Sequence, residues 1–196
     1  MKKLVAIVVT VFCLTVPLVA FAGCWQDKYD TKKPTLSEAD GWELTYSDDF
    51  SEFSSIEEVW ENTVWRPVNH GPRREGYWCD ETVKLDTEEG ALVVASFRDG
   101  NTECGECPED GAFSGGVWSS DTFEQAFGYF EATVKVPVGS GLWSAFWLQS
   151  HDVGKVGNRG EDGTEIDIYE SSFISNPTET GNALHYDAYS APWYHY

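Results

Sequence analysis

From residue 42 onward, apolar positions recur in short runs cut by Gly, Asp and Asn, and no run keeps a helical period over three turns. Strand character is found at 42–50 (WELTYSDDF), 82–86 (TVKLD), 91–97 (ALVVASF) and 115–120 (GGVWSS). It returns at 128–137 (GYFEATVKVP), 141–150 (GLWSAFWLQS), 164–171 (TEIDIYES) and 182–189 (NALHYDAY). Many short strands with turn residues between them predict an all-β chain, an antiparallel sandwich or barrel. A single short helix is predicted over 54–62 (SSIEEVWEN), with Ser54 or Ser55 as its cap. The length, 196 residues, suits one domain with a real core or at most two small ones.

Two runs differ in how their faces are filled. In 128–137, Tyr129, Glu131, Thr133 and Lys135 alternate with Phe130, Ala132, Val134 and Val136, as in a half-buried strand. In 141–150 both faces are apolar: Trp143, Ala145 and Trp147 on one side, Leu142, Phe146 and Leu148 on the other. Such a strand is either sealed between layers or lines a cleft with its aromatic face.

The N-terminus follows another logic. Lys2 and Lys3 precede a long apolar run that closes on Ala20-Phe21-Ala22, the pattern of an export signal over residues 1–23. Pro17 and the small-residue ending argue against a membrane anchor. Cleavage after Ala22 releases a soluble protein starting at Gly23; alternatively FAGC resembles a bacterial lipobox with Cys24 as the lipidated first residue. The polar stretch 24–41 suits a tether, which favours the lipoprotein, and 42–196 is the folded domain. Either route leads to an extracellular or cell-surface protein.

Charge narrows the partners. With 33 acidic against 13 basic residues the formal net charge is −20, which repels nucleic acid and anionic membrane surfaces. Membrane association is expected only through a lipid anchor at Cys24. Aromatic residues make up 15% of the chain, including nine Trp, and their faces suit sugar rings. A neutral polysaccharide is therefore the expected partner, taken up by a monomer. CGEC at 104–107 has no second ligand pair for zinc and no βαβ setting for redox chemistry. A disulfide within the group Cys79, Cys104 and Cys107 is expected, and no metal site.

The densest chemistry lies in 163–170, GTEIDIYE, where Glu165, Asp167 and Glu170 crowd into a strand-like run. On a helix Glu165 and Glu170 would share no face. On a strand Glu165 and Asp167 share one, and Glu170 joins them only if a β-bulge inserts one residue. Ile166 and Ile168 are then expected to face the core. Three acids on one surface suit glycosidic hydrolysis: one ionised Glu attacks the anomeric carbon, another delivers a proton, and Asp167 tunes both. A calcium site or a solvated acidic edge is the plainer alternative, but strand residues flanked by Ile serve calcium poorly.

EIDIYE resembles the E-x-D-x-x-E signature of glycoside hydrolase family 16 in its laminarinase-like, bulged form. GYFEATVKVPVGSGLWSAFWLQ and LTYSDDF are similar to that family's preceding strands, so the likeness runs from about residue 42 to 189. The resemblance implies a β-jelly-roll sandwich (concanavalin A-like) with a glycan cleft, and retaining endo-acting hydrolysis of β-1,3 or mixed-linkage glucan. It makes Glu165 the nucleophile, Asp167 the assisting acid and Glu170 the acid/base. It sets Trp143, Trp147 and His185 along the sugar subsites. Galactan-active or transglycosylating relatives, a non-catalytic carbohydrate-binding jelly roll and a surface adhesin are the rivals; only an enzyme has use for the acid triplet. Family members continue beyond the aromatic end Trp193-Tyr194-His195-Tyr196, so the jelly roll is expected to be incomplete at its C-terminus. No cofactor is expected. A structural calcium ion is implied only for the complete protein, where it joins the two chain ends.

Overall fold

The structure, a computed structural model, describes the backbone of residues 3–12 and, in full, residues 36–74, 76–98, 111–137, 141–151, 153, 163–171 and 180–186. Cys24, Cys104, Cys107 and the aromatic end at 193–196 lie outside those residues, as does most of the expected tether. So does the C-terminal of the two chain ends to which the resemblance assigns calcium. The chain divides into two compact units, Met1–Lys135 and Val136–Tyr196.

In the first unit a five-stranded sheet is built around β1 (Lys3–Phe12). One edge of β1 pairs with β11 (Tyr129–Lys135); the other pairs first with β2 (Trp42–Asp48) and then with β7 (Ala91–Val94). All three ladders are parallel, whereas β6 (Val83–Asp86) pairs antiparallel with β7. β1 comes from the apolar run expected as an export leader. Its Val, Ile and Thr content also favours extended backbone, so one segment answers two demands. The sheet is consequently mixed where an antiparallel one was expected.

Four shorter strands form a second sheet in the order β4 (Gly71–Arg73), β5 (Gly76–Trp78), β9 (Ala112–Ser114) and β8 (Ser96–Arg98). Strands β3 (Arg66–Pro67) and β10 (Val117–Trp118) pair separately. None of β3, β4, β5 and β9 stands out in the hydrophobic pattern, because two or three residues are too few to show a period. Gly115, just before β10, sits where a Cβ would come within 2.4 Å of the buried Thr82 hydroxyl. Cys79 is buried and disulfide-bonded; which two of Cys79, Cys104 and Cys107 pair was open in the sequence, and Cys104 and Cys107 lie outside the described residues.

The core of this unit gathers Phe50, Val59, Trp65 and Leu92, with Tyr46, Ile56, Phe123, Phe130 and Ala132 packed around them. Val59 comes from α1 (Ile56–Asn62), the predicted helix. Ser55 caps it by accepting from the Glu58 N–H at 3.3 Å, and the Glu58 carboxylate accepts from the Ser54 N–H at 2.8 Å. Phe50 is fully buried yet adopts a left-handed φ of 59°, and its N–H donates to Asp48 Oδ1 at 3.0 Å. Phe130 and Ala132 of β11 face this core as expected, but Val134 is exposed, so the alternation places only the first half of that strand.

The second unit contains an antiparallel meander of β12 (Ala145–Gln149), β13 (Thr164–Glu170) and β14 (Gly181–Tyr186).

Candidate active site

Register decides which side chains of the meander meet. On β12, Gln149, Trp147 and Ala145 occupy alternate positions and share a face. Their partners on β13 are Glu165, Asp167 and Glu170 respectively, so all three carboxylates lie on that face. The parity is possible because Phe146 pairs with Tyr169 and Trp147 with Asp167, leaving Ile168 as the extra residue of a bulge. A register shift between Asp167 and Glu170 recurs on the β14 side. The Asn182 side chain donates to the Ile168 carbonyl, which satisfies a backbone group the bulge would strand. The bulge anticipated from the spacing of the acids is thus present, held by a residue the sequence did not single out.

β14 completes the face by setting His185 opposite Glu165, Ala183 opposite Asp167 and Gly181 opposite Glu170. His185 Nε2 lies 3.0 Å from Asp167 Oδ2 and 3.9 Å from Glu165 Oε1. Asp167 is 3% exposed and His185 7%. Burial pushes the Asp167 carboxyl above the usual carboxylate range; the charges of Glu170 and Glu165 push it the same way, and His185 opposes them. Glu165 accepts from the Gln149 side-chain amide, and Glu170 Oε1 accepts from the Trp143 indole N–H at 2.7 Å. Each acid therefore has a polar partner of its own from a neighbouring segment. Gln149 could have been suspected from its parity with Trp147; the others follow only from register.

The family model for Glycosyl hydrolases family 16 matches residues 71–192. The chain belongs to that family. Neither a curated protein nor a solved structure matches it. For a family 16 chain the all-β, jelly-roll class follows, and the strands observed, with one α-helix among the described residues, agree with it. The match includes β12, β13 and β14, hence the whole carboxylate face, but not the 42–50 segment that also resembles the family.

In this family 16 chain the expected sugar-contacting residues have different surroundings. Trp147 is 42% exposed beside Asp167, as a stacking surface requires. Trp143 is half-buried against Glu170, and His185 is buried against Asp167. The reverse face departs from expectation. Leu148, Ile166 and Leu184 form one cross-strand row, yet Ile166 is 42% exposed and Leu184 41%. Ile166 does not anchor the strand from a core: its row with Leu184 is left partly in solvent, whereas Asp167 and His185 on the opposite face are buried. Glu165, Asp167 and His185 also lie close enough to share a cation, each offering an atom within 4.8 Å of the others. Of the three, only His185 and Asp167 are hydrogen-bonded, at 3.0 Å; His185 and Glu165 are 3.9 Å apart.

Proposed function

We propose that this family 16 chain is an exported, endo-acting β-glucanase of the laminarinase-like subtype, hydrolysing β-1,3 or mixed-linkage glucan with retention. One observation carries the reading: the bulge at Ile168 turns Glu165, Asp167 and Glu170 to a single face, with Asp167 buried between two glutamates. A membrane anchor at Cys24 and a monomeric state belong to the same proposal.

Glu165 attacks the anomeric carbon while protonated Glu170 gives its proton to the glycosidic oxygen, which leaves with the bonding electron pair. In the second half, ionised Glu170 takes a proton from water as that water attacks the same carbon and the bond to Glu165 breaks. Retention follows from two displacements. Asp167 stands between the two, its carboxyl raised by burial and by the charges of Glu170 and Glu165. The neutral substrate is indifferent to the chain's net charge of −20, and no cofactor enters these steps.

The test uses the full chain with laminarin and a mixed-linkage glucan, following new reducing ends and the anomeric proton signal of the first product. The β-anomer should appear first, and Glu165→Gln and Glu170→Gln should each abolish turnover. Azide should rescue Glu170→Gln on an activated aryl glycoside with retention, and should give the inverted glycosyl azide with Glu165→Gln. Substantial activity in both variants would reject the assignment.

A further inference from the structure

We propose that Trp143 is a positioning residue for Glu170, fixing which carboxyl oxygen carries the proton that reaches the leaving group. The inference rests on the reading of Glu170 as acid/base. An indole N–H can only donate, and the Trp143 Nε1 lies 2.7 Å from Glu170 Oε1. The better acceptor of a protonated carboxyl is its carbonyl oxygen, so Oε1 stays turned to the indole and the proton sits on Oε2. When Glu170 is ionised the same N–H holds Oε1 again, by a charge-assisted bond. The carboxyl therefore keeps one orientation through both displacements.

The backbone beside both residues is pinned independently. Ser144 follows Trp143 and Ser171 follows Glu170. The Ser171 N–H donates to the Ser144 carbonyl at 2.9 Å, and the Ser144 N–H donates to Ser171 Oγ at 2.9 Å. Ser144 Oγ lies 3.0 Å from Ser171 Oγ and 2.5 Å from the Tyr169 hydroxyl. Glu170 is the last residue of β13, where a strand end could splay, and this hydroxyl clasp holds it against the segment that bears Trp143. A tryptophan expected to line the sugar site thus gains a second task. It aims the acid.

The test compares Trp143→Phe, which keeps an aromatic ring but loses the donor, with the native full chain on two substrates. On glucan, whose leaving group needs a proton, kcat/KM should fall about tenfold to a hundredfold, the scale of one charge-assisted hydrogen bond. On an aryl β-glucoside whose leaving group needs none, kcat/KM, which ends at release of the aryl group and excludes the step in which Glu170 acts as base, should fall by less than about threefold. Equal losses on both substrates would overturn the proposal and return Trp143 to sugar binding or the fold. A second measurement does not depend on turnover. With indole-15N-labelled tryptophan, the Trp143 N–H proton, assigned by its disappearance in Trp143→Phe, should resonate downfield and move upfield in Glu170→Ala. An unmoved signal overturns the proposal even in an active enzyme. A moved signal in a chain that cleaves no glucan supports the contact and faults only the glucanase reading.

Discussion

His185 of β14 and Asp167 of β13 are bonded Nε2 to Oδ2 at 3.0 Å, with both side chains buried. Asp167 pairs its backbone with Ala183, not with His185, so the contact runs diagonally across the two strands. Burial first, then the charges of Glu170 and Glu165, raise the Asp167 carboxyl above its unfolded value. A carboxyl raised by folding adds stability below its unfolded pKa, and that contribution is lost as pH rises through the folded value. At neutral pH an ionised Asp167 therefore weighs against the fold. Asp167→Asn keeps an acceptor for His185 and removes the charge. It should raise the melting temperature at pH 7, with the gain fading below about pH 4, where the unfolded carboxyl is itself protonated. A lower melting temperature at pH 7 would show that the His185 pair outweighs the burial of charge.

Removing the histidine should act in the opposite sense on the carboxyl. His185 is the one neighbour that pulls the Asp167 carboxyl down toward the ordinary range. In His185→Ala, Asp167 should titrate at higher pH than in the native chain, followed by the 13C shift of its carboxyl carbon. An unchanged titration would mean that the 3.0 Å contact does not persist in solution.

Trp147 is the exposed tryptophan of the carboxylate face. Laminari-oligosaccharide should quench or shift the tryptophan fluorescence. Trp147→Ala should weaken binding about tenfold, near the upper end of what ring stacking contributes. Its melting temperature should fall by less than for a fully buried aromatic, because 42% of its surface already lies in solvent. A large stability loss with unchanged affinity would assign it to packing.

Phe50 makes the contrasting case. It is fully buried among Val59, Trp65 and Leu92, and its left-handed backbone is fixed by the Asp48 carboxylate. Phe50→Ala should cost about 3–5 kcal/mol, or roughly 10 °C at 2–4 °C per kcal/mol for a chain of this size. Ser55→Ala, which loses only the helix cap, should cost about 1 kcal/mol. Denaturant melts of the two variants should separate by that margin.

The strand Lys3–Phe12 lies between β11 on one side and β2 and β7 on the other. A chain comprising residues 25–196 lacks those ladders and leaves strand edges that invite association. Yet the proposed anchoring at Cys24 removes that strand, so the 25–196 chain should stay soluble and melt cooperatively, as read by far-UV circular dichroism and light scattering. Aggregation would count against the anchor. A soluble and cooperatively folded 25–196 chain would show that the sheet closes without β1.

What the sequence determined by itself is local. A period of two in short apolar runs marks strands, Gly and Asp mark their ends, and Ser54-Ser55 before an acidic stretch marks the one helix; these survive because each depends on neighbours a few residues away. The bulge was legible for the same reason, since Glu165, Asp167 and Glu170 can share a strand face only if one residue is inserted between them. Tertiary structure decided everything that depends on register between distant segments. Trp143 meets Glu170 across 27 residues and His185 meets Asp167 across 18. The apolar pattern could not show that one tryptophan would grip an acid while the other stayed open. Nor could it show that Ile166 would be left half in solvent, or that the apolar N-terminal run would lie in a sheet. Hydrophobicity says which side chains seek cover, but only the pairing of strands says what is there to cover them.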